Sequence, residues 1–337
     1  EHRFMAEIPT LDDVARAAGV STATVSRCLN NGEVVTEATR KKVMTAVDTL
    51  GYTPNFGARA MAAKRTFVIG AIVPTMENAI FARGLQAFQE RLQDKGYTLL
   101  VSSNGYQPAR EAELVKALVS RGAEGLLLIG YERDSEVDEF LDRRGVPALL
   151  AWAHREDESH PAVGFDNRDA MRQLTEILIA RGHHSIAVIS GMLAGNDRAS
   201  ARLAGIFDAV AAAGMNRNAV HVIETPYGIS AGATAFKTLM ETADRPELVM
   251  CGNDVLAAGA LAQARDMGLD VPGDISITGF DDIELARVVY PALTTVAVPH
   301  REMGEAAADA LVTMIEDKVT TPPLKLDVEF KLRGSTR

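Results

Sequence analysis

The chain has 337 residues, 47% hydrophobic, 24% charged and 5% aromatic, which is ample apolar material for a buried core and excludes general disorder. Its 35 Lys and Arg against 45 Asp and Glu leave a formal charge of -10, an average that argues against a protein coating nucleic acid or an anionic membrane. No apolar run approaches the roughly 18 residues a membrane span needs, and the charged start Glu1-His2-Arg3 has no apolar signal region behind it, so a cytoplasmic protein is expected.

The average hides a division. Through residue 65, nine Lys and Arg stand against seven Asp and Glu, so this segment is mildly basic and the acidity belongs to the remainder. Within it, Thr10 precedes an apolar stripe at Leu11, Val14, Ala15 and Ala18, the spacing of one helical face, and can cap that helix through its hydroxyl. Asp12 and Asp13 suit the first-turn dipole. Gly19 ends the helix, Val20 fills the corner, and Ser21 starts a second helix with Val25 and Leu29 facing inward. Two short helices joined around a Gly form a helix-turn-helix. Its outward face carries Thr22, Ala23, Ser26 and Arg27, small or cationic groups that suit contact with a duplex. Spacing alone does not establish that role, because helix, Gly turn and helix recur in proteins that bind no DNA. A third helix over roughly 37–49 offers Val43 and Val47, with Leu50 just beyond, to close a small core.

From residue 67 onward, continuous apolar runs at 67–73, 97–101, 125–129, 148–151, 186–190, 248–251 and 275–280 alternate with helical spacings such as Phe81, Leu85, Phe88 and Leu92. Runs apolar on both faces predict mostly parallel strands under helices, hence doubly wound α/β architecture. The length favours two similar lobes with a cleft between them, and ligands in such folds sit at the carboxyl ends of the strands. Cys28 and Cys251 are too few for a disulfide framework or a zinc site, and both are expected to be reduced and mostly buried.

The stretch from Thr10 to Asn55 contains D-V-A-x-x-A-G-V-S-x-x-T-V-S-R-x-L-N, a T-x-x-T-R run and L-G-Y-x-P-N. It resembles the DNA-binding signature of the lactose repressor and galactose repressor family. The pieces AIVPTMENAIFARGLQ, RGHHSIAVISG, RLAGIF, CGNDVLAAGAL, DISITGFDD, PALTTVAVP and MGEAAADAL extend the resemblance over nearly the whole chain. SNGYQPAREAELV and AVGFDNRDAM are similar to the gluconate-utilisation branch.

This resemblance implies a small all-α helix-turn-helix domain followed by a two-lobed α/β body like a periplasmic binding protein. The implied boundaries are 1–54 for the reader, 55–65 for a hinge helix and 66–337 for an effector-binding and dimerisation body. Within that body, one lobe takes about 66–166 and 297–323, the other about 167–296 and 324–337. Thr22, Ala23, Ser26 and Arg27, with Asn30 nearby, are expected at base edges, and Arg27 is the expected reader of a guanine. Thr10, Leu11, Ser21, Thr24, Thr36, Thr39, Tyr52, Asn55 and Arg59 complete the implied DNA contacts. Met61 stands where the family's minor-groove wedge is usually Leu. Gly57 costs helix stability relative to Ala, which predicts a hinge disordered without DNA. For the cleft, the resemblance implies Ile80, Phe81, Asp166, Asn196, Arg198, Arg202, Tyr227, Asn253 and Asp281, an aromatic with converging Asp, Asn and Arg that suits a polyhydroxylated ligand. The implied partners are operator DNA, a sugar, sugar acid or sugar phosphate, and a second copy of the chain, with no cofactor and no metal. The implied dimer face takes in helices around 80–94 and 253–267.

An enzyme is not expected. Neither G-x-G-x-x-G after a strand nor G-x-x-x-x-G-K-[ST] occurs, and Ser190-Gly191 lacks the G-x-S-x-G frame. His183-His184 has no neighbouring Cys or carboxylate cluster to make a metal site. The rival is a solute-binding protein sharing the two-lobed body, for which residues 10–61 have no use.

Overall fold

The computed structural model describes residues 9–30, 35–53, 56–77, 79–158 and 160–337. Contacts divide the chain into two compact units, one ending at Thr66 and the other running Phe67–Arg337.

The first unit holds α1 (Leu11–Ala18), α2 (Thr22–Asn30), α3 (Glu37–Leu50) and α4 (Phe56–Ala63). Thr10 caps α1 in a reciprocal box: its oxygen accepts from Asp13 N at 3.3 Å, while its own N donates to Asp13 Oδ2 at 2.9 Å. Gly19, at φ 65°, turns the chain out of α1 in the left-handed region that favours glycine. Val14, Ala15, Val25, Cys28, Val43 and Ala46 form the core, so Cys28 faces inward as expected. The segment expected as a hinge helix holds α4 over Phe56–Ala63. Four Ala, one Arg and one Met among these eight residues offset the single unfavourable Gly57.

In the second unit, strands and helices alternate: β1 (Val68–Val73), α5 (Ala79–Asp94), β2 (Thr98–Ser103), α6 (Pro108–Ser120), β3 (Ala123–Ile129), α7 (Ser135–Arg144), β4 (Ala148–Ala151) and β5 (Ala162–Gly164). The chain then enters α8 (Asn167–Ala180), β6 (Ile186–Ser190), α9 (Asp197–Ala212), β7 (His221–Glu224), α10 (Ile229–Met240), β8 (Leu248–Cys251), α11 (Asp254–Asp266), β9 (Ser276–Thr278) and α12 (Leu285–Val288). It closes with β10 (Thr295–Ala297), α13 (His300–Asp317), β11 (Leu324–Lys325) and β12 (Glu329–Lys331).

These strands make two parallel sheets. One has the order β11-β5-β4-β3-β1-β2 and the other β7-β6-β8-β9, with β10 and β12 pairing antiparallel where the chain passes between the lobes. β1 and β3 are buried along nearly their full length because helices cover both faces of the sheet. The second lobe starts after β5 and is left through β10, and the chain's end returns to it, Ser335 O accepting from Ile277 N at 2.9 Å. β11 still pairs with β5 of the first sheet, which carries the first lobe to Lys325. His183 is a core residue, with Nδ1 donating to Leu178 O at 2.9 Å and Nε2 2.8 Å from Ser276 Oγ. Among the described residues no helix is long and apolar enough to cross a membrane, and no His, Cys, Asp and Glu group could hold a metal ion.

Candidate functional site

The helix-turn-helix presents a polar face built by its caps. Ser21 Oγ accepts from Thr24 N at 3.2 Å, and Thr36 immediately precedes α3 with its hydroxyl 3.0 Å from that of Thr39. Thr10, Ser21 and Thr36 therefore occupy the starts of α1, α2 and α3, where unpaired backbone N–H groups and the positive ends of helix dipoles lie. On α2, Ala23 and Arg27 are exposed, Thr22, Thr24 and Ser26 are half-buried, and Val25 and Cys28 turn into the core. Leu11 and Tyr52 are partly buried against that core. Met61 on α4 is 84% exposed. Asn55 and the side chains of Asn30 and Arg59 lie outside the described residues.

In the body, a cleft lies beyond the carboxyl ends of the strands of both sheets, as the topology requires. Ile80 and Phe81 follow β1, Tyr106 follows β2, Trp152 follows β4 and Phe165 follows β5; Asn196 and Arg198 follow β6, Tyr227 follows β7, Asn253 follows β8 and Asp281 follows β9. These residues, with Arg202 on the first turns of α9, line one cavity of about 20 Å³. It has space for little more than one water. Open cavities of about 740 Å³ and about 480 Å³ flank it.

Eight of the nine residues expected in the cleft line this cavity. The ninth, Asp166, does not. It caps α8 by accepting from Arg168 N at 2.9 Å and Asp169 N at 3.0 Å, and faces the larger flanking cavity. Tyr106, Trp152 and Phe165 are additions that sequence reasoning missed. A signal did exist for Trp152, which sits just past the predicted strand at 148–151 where the fold places ligands.

The polar groups are organised around Arg202. Its Nη1 donates to Asn167 Oδ1 at 2.9 Å and its Nη2 to Tyr227 OH at 3.2 Å, while the guanidinium lies 4.7 Å from the Phe280 ring centre. Arg202 Nε and Asn253 Nδ2 are buried and without a hydrogen-bond partner. Asn253 is otherwise used as a helix cap, its Oδ1 accepting from Leu256 N at 2.9 Å. Burial pushes the Asp281 carboxyl up to about 6, against the opposing pull of Arg202. Tyr106 and Tyr227 bring their rings to 5.5 Å, and burial followed by the neighbouring Tyr227 raises the Tyr106 hydroxyl above the usual phenol range. The cavity thus combines two orphaned donors, one reluctant carboxylate and aromatic faces.

Arg198 has a different engagement. Its Nη1 donates to Ile129 O at 3.0 Å and Asp197 Oδ1 at 2.9 Å, while Asp197 Oδ2 accepts from Tyr131 N at 2.7 Å. This pair at the start of α9 therefore clasps the end of β3 in the other lobe. At Gly130, φ 77°, any Cβ would collide with the Arg198 guanidinium and the Asp197 carboxylate. Arg83 does not join the cavity and instead pairs with Glu284 at 2.9 Å across the lobes.

Comparison with known proteins agrees with both units. Residues 10–55 match the model for bacterial regulatory proteins of the lacI family, and 175–336 match the periplasmic binding protein-like domain. Catabolite control protein A from Priestia megaterium is 31% identical over 97% of this chain and 99% of that protein. The HTH-type transcriptional regulator GntR from Escherichia coli is 32% identical over 96% of this chain and 97% of its own length. Among solved structures, the lac repressor dimer bound to operator and the anti-inducer ONPF superposes with a TM-score of 0.85 at 27% identity, covering 98% of this chain and 99% of that one. The chain belongs to the lacI family of bacterial regulatory proteins and is a DNA-binding transcriptional regulator.

Proposed function

We propose that the protein is a cytoplasmic repressor that binds a pseudopalindromic operator as a homodimer under the control of a small polar effector held between its lobes. The observation that carries this reading is the union, in one chain, of a helix-turn-helix with hydroxyl residues at all three helix starts and a cleft holding orphaned polar donors. Thr22, Ala23, Ser26 and Arg27 read bases, while Thr10, Ser21, Thr24, Thr36, Thr39 and Tyr52 fix register on phosphates. Residues 10–54 form the reader, α4 the hinge element, and the remainder the sensor.

Phe81, Tyr106 and Tyr227 supply faces for the C–H side of a sugar ring, and Arg202, Asn253 and Asp281 supply its hydroxyl partners. Arg198 is engaged by Asp197, leaving Arg202 as the available cation beside Asp281, which favours a sugar or sugar acid over a sugar phosphate. A twofold dimer suits this family geometry, the solved lac repressor being a dimer on its operator. On the second lobe α11 is mostly buried, so the free apolar surface for such an interface comes instead from Ile229, Val288 and Tyr290.

The test is an anisotropy titration of the intact chain on duplexes from its own genomic neighbourhood. Saturable binding is expected on a fragment with two inverted half-sites and is expected to weaken sharply when one is scrambled. Failure on every fragment favours the solute-binding alternative. Thermal-shift screening against sugars, sugar acids and sugar phosphates tests the effector half, since ligand at a hundredfold excess over Kd adds about 2.7 kcal/mol of stability.

A further inference from the structure

His300, the first residue of α13, lies just outside the effector cavity yet touches two of its walls. Its Nδ1 lies 3.3 Å from Trp152 Nε1 and its Nε2 lies 3.3 Å from the backbone O of Asp281. Trp152 follows β4 in one lobe and Asp281 follows β9 in the other, so this single ring joins the two sides of the cleft.

The chemistry of these partners leaves one arrangement. An indole N–H can only donate, so His300 Nδ1 must be unprotonated to accept it. A carbonyl can only accept, so Nε2 must carry the proton. The ring is therefore neutral with its proton on Nε2, and it is 4% exposed. Both partners occupy backbone conformations that L residues rarely adopt: Trp152 has φ 61° and Asp281 has φ 102°. Such conformations persist only where surrounding contacts over-determine them. At Trp152 those contacts are the His300 ring, Asn167 Nδ2 donating to its carbonyl at 3.0 Å, and Phe81 edge-on at 5.3 Å. At Asp281 they are the N–H bond to Val296 O at 2.9 Å and the His300 bond to its O. The φ of Asp281 decides where its carboxyl points.

We propose that His300 is a positioning residue of the effector site: its neutral ring fixes the Asp281 backbone and the Trp152 indole together, aiming the Asp281 carboxyl into the cavity and setting the aromatic wall opposite. This rests on the effector reading of the cleft. Burial holds the His300 ring in the neutral form, down to about 4, with Arg83 on α5 acting in the same direction and Asp282 opposing it.

The test compares the intact protein with His300→Phe, which keeps a ring but loses both bonds, and His300→Gln, whose amide can accept from the indole and donate to the carbonyl. Crystal structures of all three are expected to show Asp281 leaving its positive φ in His300→Phe and retaining it in His300→Gln. Long-range ¹⁵N correlation of the histidine rings near neutral pH is expected to find the His300 signal with its proton on Nε2. D-gluconate, D-galactose and a hexose phosphate are then titrated calorimetrically. A probe that binds the intact protein is expected to weaken by about tenfold in His300→Phe, the worth of a lost buried hydrogen bond, and to recover in His300→Gln. An Asp281 unmoved in His300→Phe, a proton on Nδ1, or unchanged probe affinity each overturns the proposal. If no probe binds the intact protein, the effector reading fails for those sugars, while the structures and the tautomer still decide the positioning role.

Discussion

Asp281 shows how one residue's environment sets two opposed demands. Its carboxyl ionises at 3.8 in an ordinary setting and at about 6 here, so the folded state holds the proton more tightly than the unfolded chain does. The group's contribution to stability is then greatest in acid and is lost as pH rises from about 4 to about 6. Asp281→Asn is expected to raise stability near neutral pH by up to about 3 kcal/mol, to flatten that part of the pH profile, and to weaken effector binding. Chemical denaturation across pH, beside calorimetry with the effector, checks both arms. Asn tolerates positive φ, so backbone strain does not confound the exchange. On the reader, Arg27→Ala is expected to cost about 1 to 3 kcal/mol of operator affinity and relax preference at one base pair, which binding to single-base operator variants measures. The family resemblance placed eight cleft positions correctly along this cavity, whereas Asp166 caps α8 and faces the flanking cavity instead, a carboxylate before a helix reading equally as a cap. Tyr106 and Phe165 escaped because a lone aromatic beyond a strand resembles ordinary core.

Elements were legible in proportion to their burial. β4, β6 and β8 match their apolar runs end to end, since helices cover both faces and leave continuous Val, Ile, Leu and Ala. β5, with three residues, and the half-exposed β7, carrying His221 and Glu224, gave no such run and were not anticipated. Helix α4 lies where the resemblance implied a hinge helix. An eight-residue helix is marginal by itself in water, so its helicity depends on surroundings. The exposed Met61 is its wedge in our reading: Met61→Ala is expected to weaken operator binding by more than about tenfold while leaving effector affinity unchanged, because unstacking a base step needs apolar bulk. Unchanged operator affinity would sink the wedge. The clasp of α9 on β3 gives a second expectation. Asp197→Ala leaves the Arg198 charge buried and should destabilise the body by about 3 kcal/mol, and adding Arg198→Leu should recover much of that. Denaturation of the single and double variants decides it.

For the whole molecule, the charge of -10 is a poor guide until it is divided. Nine cations against seven acids lie in the first 65 residues, so the body is strongly acidic and repels a polyanion. Nonspecific attraction to DNA should be weak and paired docking correspondingly important. Operator affinity is expected to fall linearly in log–log fashion with salt, by about one decade per decade for each phosphate neutralised, and a flat profile would contradict phosphate contacts altogether. The two-lobed doubly wound plan was readable from strand and helix alternation because parallel sheets demand it. The return of β11 to the first sheet was not readable, since two exposed residues carry no pattern.

The chain contains one tryptophan, and it forms a wall of the cavity between the lobes. Its intrinsic fluorescence therefore arises from a single indole seated where ligand, lobe opening and the neighbouring imidazole all meet. In our reading the unlabelled protein, excited at the indole band, is an optical sensor of its effector: spectral displacement or quenching on adding a metabolite reports events at this cleft.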